Sequence, residues 1–402
     1  KLSYEQAQDA ADGAPDDKTG PLVEPIIKPL WDAYRTMLTG RLRRSPLAIE
    51  SLERRIVLNE EGEVVSINPR KSLEAHRLIE EMMIQANVSA AETLEQRKTP
   101  LIYRVHDTPS QEKVFNLSDF LTTIGMKWNK GEPPTTKRFN ALLDETRGSE
   151  NAEIVNEVVL RSQMQAIYSP DNIGHFGLNL DRYAHFTSPI RRYADLVVHR
   201  ALIRALGLTK TDSGDDGLTN EEIARLTDTA EHITGTERRS MMAERDANDR
   251  YVAAFLEDRV GAEFEGRVTG VTRFGLFVRL TETGADGLVP VGQLGDEYFQ
   301  HDDRAHALVG ERTGRRWRLG REVVVKLVEA TPVTGGLLFE MVSEPEAADP
   351  NAVRPRYGVR ARGGGDGSGP PKRGGPPRGK NRPGGPKPSS GGLKGVRKGK
   401  RR

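Results

Sequence analysis

The hydrophobic period of this chain changes once, near Arg259, and that change limits what it can fold into. Before it, apolar residues recur every three to four positions with some irregular connections: "KSLEAHRLIEEMMIQANVSAAETLEQRK" has the spacing of an amphipathic helix. "LTNEEIARLTDTAEHITGTERRSMMAERDANDRYVAAFLEDRV" predicts one or two long helices, opened by a capping box between Thr219 and Glu222. After Arg259 the period falls to two. "EFEGRVTGVTRFGLFVRLTETGADGLVPV" alternates apolar and polar residues around glycine-containing turns, and "REVVVKLVEATPVTGGLLFEMV" adds two more strands. About five short strands of this kind predict a small OB-type barrel. The fold class is therefore α+β: a mainly helical region over residues 1–259 and a barrel over 260–345.

The last segment, residues 346–402, follows neither period. From Arg354 to Arg402 there are 16 Lys or Arg against one acidic residue, Asp366, so this tail carries +15 and the preceding chain −13 of the net +2. Runs such as "RGGGDGSGPPKRGGPPRGK" cannot build a core and predict disorder. A flexible polycation attracts nucleic-acid phosphates through counterion release; the bland alternative is a solubilising linker, or a tail that adheres to ribosomes. With 402 residues the chain is long enough for two or three domains, and with no cysteine it has neither disulfides nor thiolate zinc sites, which fits a reducing cytoplasm. No apolar run approaches the roughly 18 residues of a membrane span, and the opening stretch is unlike a secretory signal. A soluble cytoplasmic protein is expected, although the chain opens on Lys1 rather than methionine and an upstream targeting segment stays open.

"HFTSPIRRYADLVVHRALIRAL", His185–Leu206, poses a sharper question. Ser188 is a good N-cap and Pro189 suits the first helical position, predicting a helix from Pro189 with Ile190, Tyr193, Val197 and Ala201 on its buried face, widened by Leu196 and Ile203. Arg191 and Arg192 then occupy the first turn, where the helix dipole disfavours cations. Either the pair holds an anion, for which phosphate is the best geometric match, or both arginines are solvated at a cost of about 0.3–1 kcal/mol.

Other groups carry weaker signals. Phe274 and Phe277 bracket Gly275, with Arg273 and Arg279 close by, a mixture suited to stacking bases and pairing phosphates; strand alternation predicts that at least one of the two rings is buried. His301, Asp302, Asp303 and His306 fit a polar loop inside the barrel insertion better than a metal site. His175, His185 and His199 are expected to be structural or RNA-contacting, not ligands. There is no phosphate loop with lysine, no HExxH and no GxSxG.

Taken in order, "LIEEMMIQANVSAAETL", "LIYRVHDTPSQEK", "GHFGLNLDRYAHFTSPIRRYADLVVHRALI" and "RRSMMAERDANDRYVAAFL" resemble the closing half of the RNB catalytic domain of the RNase II/ribonuclease R exoribonuclease family. The barrel resembles the S1-type RNA-binding domain that follows it, and a basic tail is usual after that. The resemblance covers nearly all of residues 1–342. It implies processive 3′-to-5′ hydrolysis of single-stranded RNA to nucleoside 5′-monophosphates with Mg2+ or Mn2+. It makes Arg191 the phosphate contact of the transition state, with Arg192 and Tyr193 supporting it. Glu244 matches an acidic residue near the active centre; Glu81 and Asn87 border the RNA channel; Tyr103, Arg104 and His106 lie in a family motif; His185, Ser188, Phe274, Phe277 and Arg279 complete the expected RNA contacts.

Two departures qualify the resemblance. The acidic run Asp9, Asp12, Asp16 and Asp17 does not match the spacing of the family's aspartate-rich metal motif, and its surroundings align with a linker downstream of that motif. The expectation is a C-terminal fragment, inactive alone, whose metal ligands lie outside it. Secondly, "RSPLAIE" at Arg44–Glu50 has Ser45, Pro46 and Ala48 where the family shapes its channel, so no base-stacking role passes to that segment. The expected partners are single-stranded RNA and, through the tail, the ribosome or other RNA-decay factors, with no membrane and a monomeric state. The rival reading is a non-catalytic single-stranded RNA-binding protein or RNA chaperone.

Overall fold

The computed structural model describes residues 1–49, 54–69, 72–209, 216–303 and 305–348. The expected tail lies outside them, except for its first residues. The described residues belong to one compact unit. Its helical part comprises α1 (Tyr4–Ala11), α2 (Lys28–Arg44), the hairpin β1 (Arg54–Leu58) and β2 (Val64–Pro69), α3 (Glu74–Gln96), β3 (Tyr103–Val105), α4 (Gln111–Thr123), α5 (Thr136–Thr146), α6 (Ala152–Ser162), β4 (Ile167–Ser169), α7 (Tyr193–Leu206), α8 (Asn220–Ala224) and α9 (Leu226–Glu257). The expected capping box opens α8: Thr219 Oγ1 accepts from the Glu222 amide at 3.2 Å and Glu222 Oε2 from the Thr219 amide at 2.9 Å. The β1–β2 and β3–β4 pairs are antiparallel ladders that the helical period of this region concealed.

The second part holds β5 (Glu263–Thr272), β6 (Gly275–Leu280), β7 (Asp286–Pro290), β8 (Phe299–Asp302), β9 (Ala307–Gly310), β10 (Arg316–Arg318), β11 (Glu322–Thr331) and β12 (Gly336–Met341). Five of these strands close the expected barrel in the order β11-β12-β7-β6-β5, and β8–β10 form a separate three-stranded sheet inserted between β7 and β11. Alternation decides the barrel core: Leu276, Val278 and Leu280 point inward on β6, Phe339 of β12 joins them, and Trp317 of the inserted sheet is buried in the same cluster. At Gly275 an added Cβ would lie 2.2 Å from the Val289 carbonyl oxygen, so the β6–β7 approach requires glycine. Of the polar segment expected as a loop, His301 and Asp302 end β8, Asp303 and His306 lie in turns before β9, and His301 pairs with Asp303 at 3.1 Å.

Both parts share contacts. Leu319 packs into the core of α4–α6, and Gly320 sits so close to Ile154 that a Cβ there would lie 2.9 Å from it. Arg267 Nε pairs with Glu153 at 3.3 Å, and Arg54 of β1 donates to the carbonyls of Thr281 and Glu282 at 3.1 and 2.5 Å. Helix α9 joins two of the hydrophobic cores, contributing Leu226 and Ala230 to one and Ala253 and Leu256 to the other. Between them, Arg238–Tyr251 is exposed on every face.

Candidate nucleic-acid interface

The helix expected from Pro189 starts instead at Tyr193. Ser188–Arg192 is a turn, in which the Ser188 carbonyl accepts from the amides of Arg191 and Arg192 at 3.2 and 3.1 Å, and Arg192 is the N-cap in extended conformation. The reason lies three residues into α7. Asp195, fully buried, accepts from the Ser188 amide at 2.7 Å and from Arg192 Nη2 at 2.9 Å. An acidic side chain thus meets the helix dipole at the position that favours it. The buried stripe of α7 rotates accordingly to Ala194, Val197, Val198 and Ala201, while Ile190, at 102% exposure, and Tyr193 and Leu196 face outward. The two arginines therefore part: Arg192 is ion-paired and mostly buried, and Arg191 is exposed.

Behind this turn runs a row of aromatic and imidazole rings. Tyr168 Oη lies 2.9 Å from His185 Nδ1, Tyr183 sits against both His185 and His175, and His175 against His106. Burial, reinforced by Arg192 and Arg104, pushes His185 down to about 2; burial, reinforced by His106 and Arg104, pushes His175 down to about 3. Both rings are neutral at physiological pH. His106 is held by the Met164 carbonyl at 2.7 Å and the Gly177 amide at 2.8 Å, and His199 by the Phe186 carbonyl at 2.9 Å, so these histidines serve the fold. Arg104 stacks over Tyr168 at 4.7 Å and pairs with Glu237 at 2.7 Å, where α9 leaves the helical core.

Several residues expected on the RNA surface are withdrawn from it. Glu81 is 1% exposed and paired with Arg41, because it falls on the buried stripe of α3 together with Asn87. Asn87 donates to Tyr183 Oη and accepts from the Phe186 amide, each at 2.9 Å, fixing the segment that leads into the turn. Tyr103 is buried, with its hydroxyl on Glu95 at 2.9 Å; burial and that carboxylate raise its pKa. Ser188 contributes its backbone to the turn. Glu244 stands on the exposed stretch of α9.

On the barrel, neither phenylalanine is buried. Phe274 precedes β6 at 58% exposure and Phe277 points outward at 37%, lying over Gly270 of β5, and the two rings meet edge to face at 6.1 Å. Arg273 beside them is exposed. Arg279, expected to contact RNA, is engaged elsewhere: it reaches Asp286 at 3.1 Å and Glu157 of α6 at 3.5 Å and so joins the barrel to the helices. The acidic run near the start forms no carboxylate cluster. Asp16 caps its own turn, accepting from the Thr19 amide and hydroxyl at 2.7 Å each. No group of three or more metal-ligating side chains occurs among the described residues.

Known proteins share this arrangement. Residues 1–207 match the RNB domain and residues 257–337 the S1 RNA binding domain. Ribonuclease R of Aquifex aeolicus is 37% identical over 348 residues, which are 86% of this chain and 48% of that protein; ribonuclease R of Escherichia coli is 36% identical over 355 residues, 86% of this chain and 43% of that one. The chain thus spans about half the length of the curated relatives it matches. Among solved structures, the apo form of Mycoplasma genitalium RNase R superposes with a TM-score of 0.78 at 27% identity, covering 85% of this chain and 53% of that one. The same enzyme in complex with ribose-methylated single-stranded RNA gives 0.78 at 26% identity with the same coverage. A helical region matched to an RNB domain, followed by a barrel matched to an S1 domain, places the chain: it belongs to the ribonuclease R/RNB family.

Proposed function

We propose that this chain is the RNA-gripping part of a 3′-to-5′ exoribonuclease that hydrolyses single-stranded RNA to nucleoside 5′-monophosphates. The observation that carries the reading is the exposed Arg191 on a closed turn at the start of α7, beside exposed Tyr193. A guanidinium there offers paired N–H donors to phosphate oxygens, and such donors count most where charge builds up during phosphoryl transfer. Tyr193 is assigned to the same phosphate environment, and Glu244 to its edge on α9. On the barrel, Phe274 and Phe277 stack bases while Arg273 meets the backbone. The complex of the Mycoplasma genitalium enzyme with single-stranded RNA supports the same class of ligand for this chain.

The RNB family is generally metal-dependent, and two-metal hydrolysis needs carboxylates that hold the ions about 3.5–4 Å apart. The carboxylates near the start of the chain do not fit that centre: Asp16 is committed to Thr19 and Gln6, and among the described residues no three metal-ligating side chains converge. Residues 1–402 alone are proposed to bind single-stranded RNA as a cytoplasmic monomer without hydrolysing it. The working boundaries are 1–259, 260–345 and 346–402, with the basic tail adding sequence-independent attraction to RNA or ribosomes. The purified chain, incubated with labelled poly(A) and Mg2+, should bind in a salt-sensitive manner and leave the substrate intact. Mg2+-dependent shortening would overturn the second half of this reading, and salt-insensitive or absent binding the first.

A further inference from the structure

One buried carboxylate, that of Asp195, holds both ends of the turn that carries Arg191. The turn has two ends, the Ser188 amide and the Arg192 guanidinium, and Asp195 Oδ1 accepts from both, at 2.7 and 2.9 Å. Asp195 Oδ2 lies 2.8 Å from Arg192 Nε, an ion pair that is off-line for a hydrogen bond. Between these ends stand only Pro189, Ile190 and Arg191, all exposed. The first of them has a fixed φ. The loop cannot open without breaking contacts to a fully buried carboxylate. The same contacts cancel the charge of Arg192, so the guanidinium turned outward is that of Arg191. Burying a carboxylate is costly unless its partners are fully engaged, and fixing one conformation is a use such a pair can have.

We propose that Asp195 is a positioning residue for phosphate recognition: by closing the Ser188–Arg192 turn and neutralising Arg192, it sets Arg191 for an RNA phosphate. This rests on the function proposed above, yet it makes a prediction opposite in sign to simple charge counting. Asp195→Asn makes the protein one charge more positive. Counted as charge, that tightens binding to a polyanion; acting through position, it weakens it.

The test measures the affinity of the 402-residue chain for a short 5′-fluorescein oligoadenylate by anisotropy over a salt series. Four proteins are compared: wild type, Asp195→Asn, Arg191→Ala and the double variant. Arg191→Ala should weaken binding about fivefold and lower the slope of log K against log salt by about 0.7, the share of one single-strand phosphate contact. Asp195→Asn should weaken binding about threefold, and its effect should vanish once Arg191 is absent, because neighbours acting as a unit are not additive. Pro189→Gly loosens the same turn from the solvent side without touching a buried atom. It should show the same dependence on Arg191, and it stands in if Asp195→Asn does not fold. Tighter or unchanged binding by Asp195→Asn, or a loss that persists in the Arg191→Ala background, would refute the positioning role. No effect of Arg191→Ala itself would instead remove the phosphate contact on which both readings depend.

Discussion

Tyr168 and His185 form a closed pair, with the phenol oxygen 2.9 Å from His185 Nδ1 and both rings packed edge to face. Burial is the main reason the imidazole stays neutral, and the neighbouring His175 is neutral for the same reason. The consequence is an acid-sensitive fold. Above the ordinary histidine value of 6.5, these rings are neutral in folded and unfolded chains alike, and their contribution is intact. As pH falls below it, the unfolded chain takes up protons that the folded one refuses until about pH 3 or 2. Stability should therefore drop by about 1.4 kcal/mol per pH unit for each ring. Urea unfolding at about pH 7.5 and about pH 5.5, either side of the ordinary histidine value, should show this loss. His185→Gln, which keeps a hydrogen-bonding partner for Tyr168, should reduce the slope. A stability that stays level down to about pH 5 would contradict the burial of these rings.

Phe274 and Arg279 are near neighbours in sequence with opposite expected phenotypes. Phe274→Ala removes an exposed ring and should weaken single-stranded RNA binding by about 1–3 kcal/mol, with little change in melting temperature. Arg279→Ala breaks its contacts with Asp286 and Glu157 and should leave RNA affinity nearly unchanged. Its cost should appear as about 1 kcal/mol of stability, since the ion pairs are half-buried. Parallel binding and denaturation curves decide the matter, and an exchange of the two phenotypes would reverse the assignment.

Gly275 is a point of close backbone approach between β6 and β7. Gly275→Ala drives a methyl group toward the Val289 carbonyl, a rigid backbone atom, and should cost about 3 kcal/mol by overpacking. Chemical denaturation of that variant should show the loss, whereas Gly292→Ala, where nothing approaches within 4 Å, serves as the control.

Asn87 is expected to matter through the hydrogen bonds it makes inside the protein. Asn87→Leu strands the Tyr183 hydroxyl and the Phe186 amide, each worth about 1–3 kcal/mol when left unsatisfied in the interior. Thermal unfolding should fall accordingly. An unchanged melting temperature would mean that solvent reaches both groups.

Much of the fold is legible in the sequence because period and alternation are local properties. The stripe Ala75, Leu78, Glu81, Ile84, Asn87 and Leu94 already places Glu81 and Asn87 on the buried side of α3; their polarity argues for a surface role, and spacing is the better guide. On β6, alternation with Leu276, Val278 and Leu280 sets Phe277 outward in the same way. What stays hidden is contact between residues distant in sequence. No local signal pairs Arg279 with Glu157 of α6. The start of α7 escapes local reading because Ser188-Pro189 suits a helix N-terminus and an isolated turn equally well, and the choice falls to Asp195, whose carboxylate captures both the Ser188 amide and Arg192. The β1–β2 hairpin carries its own mark in Gly62 at positive φ between two apolar runs, but it is short and lies among helices.

The bare stretch of α9 behaves as a ruler. Its two ends are anchored in different cores, so each added or deleted residue would shift one anchor by about 1.5 Å and turn it by about 100° relative to the other. Apart from Glu244 and from Asp249, which packs against Gly335, Arg238–Tyr251 is thus open to changes of side chain yet closed to changes of length, the reverse of what solvent-facing segments usually tolerate.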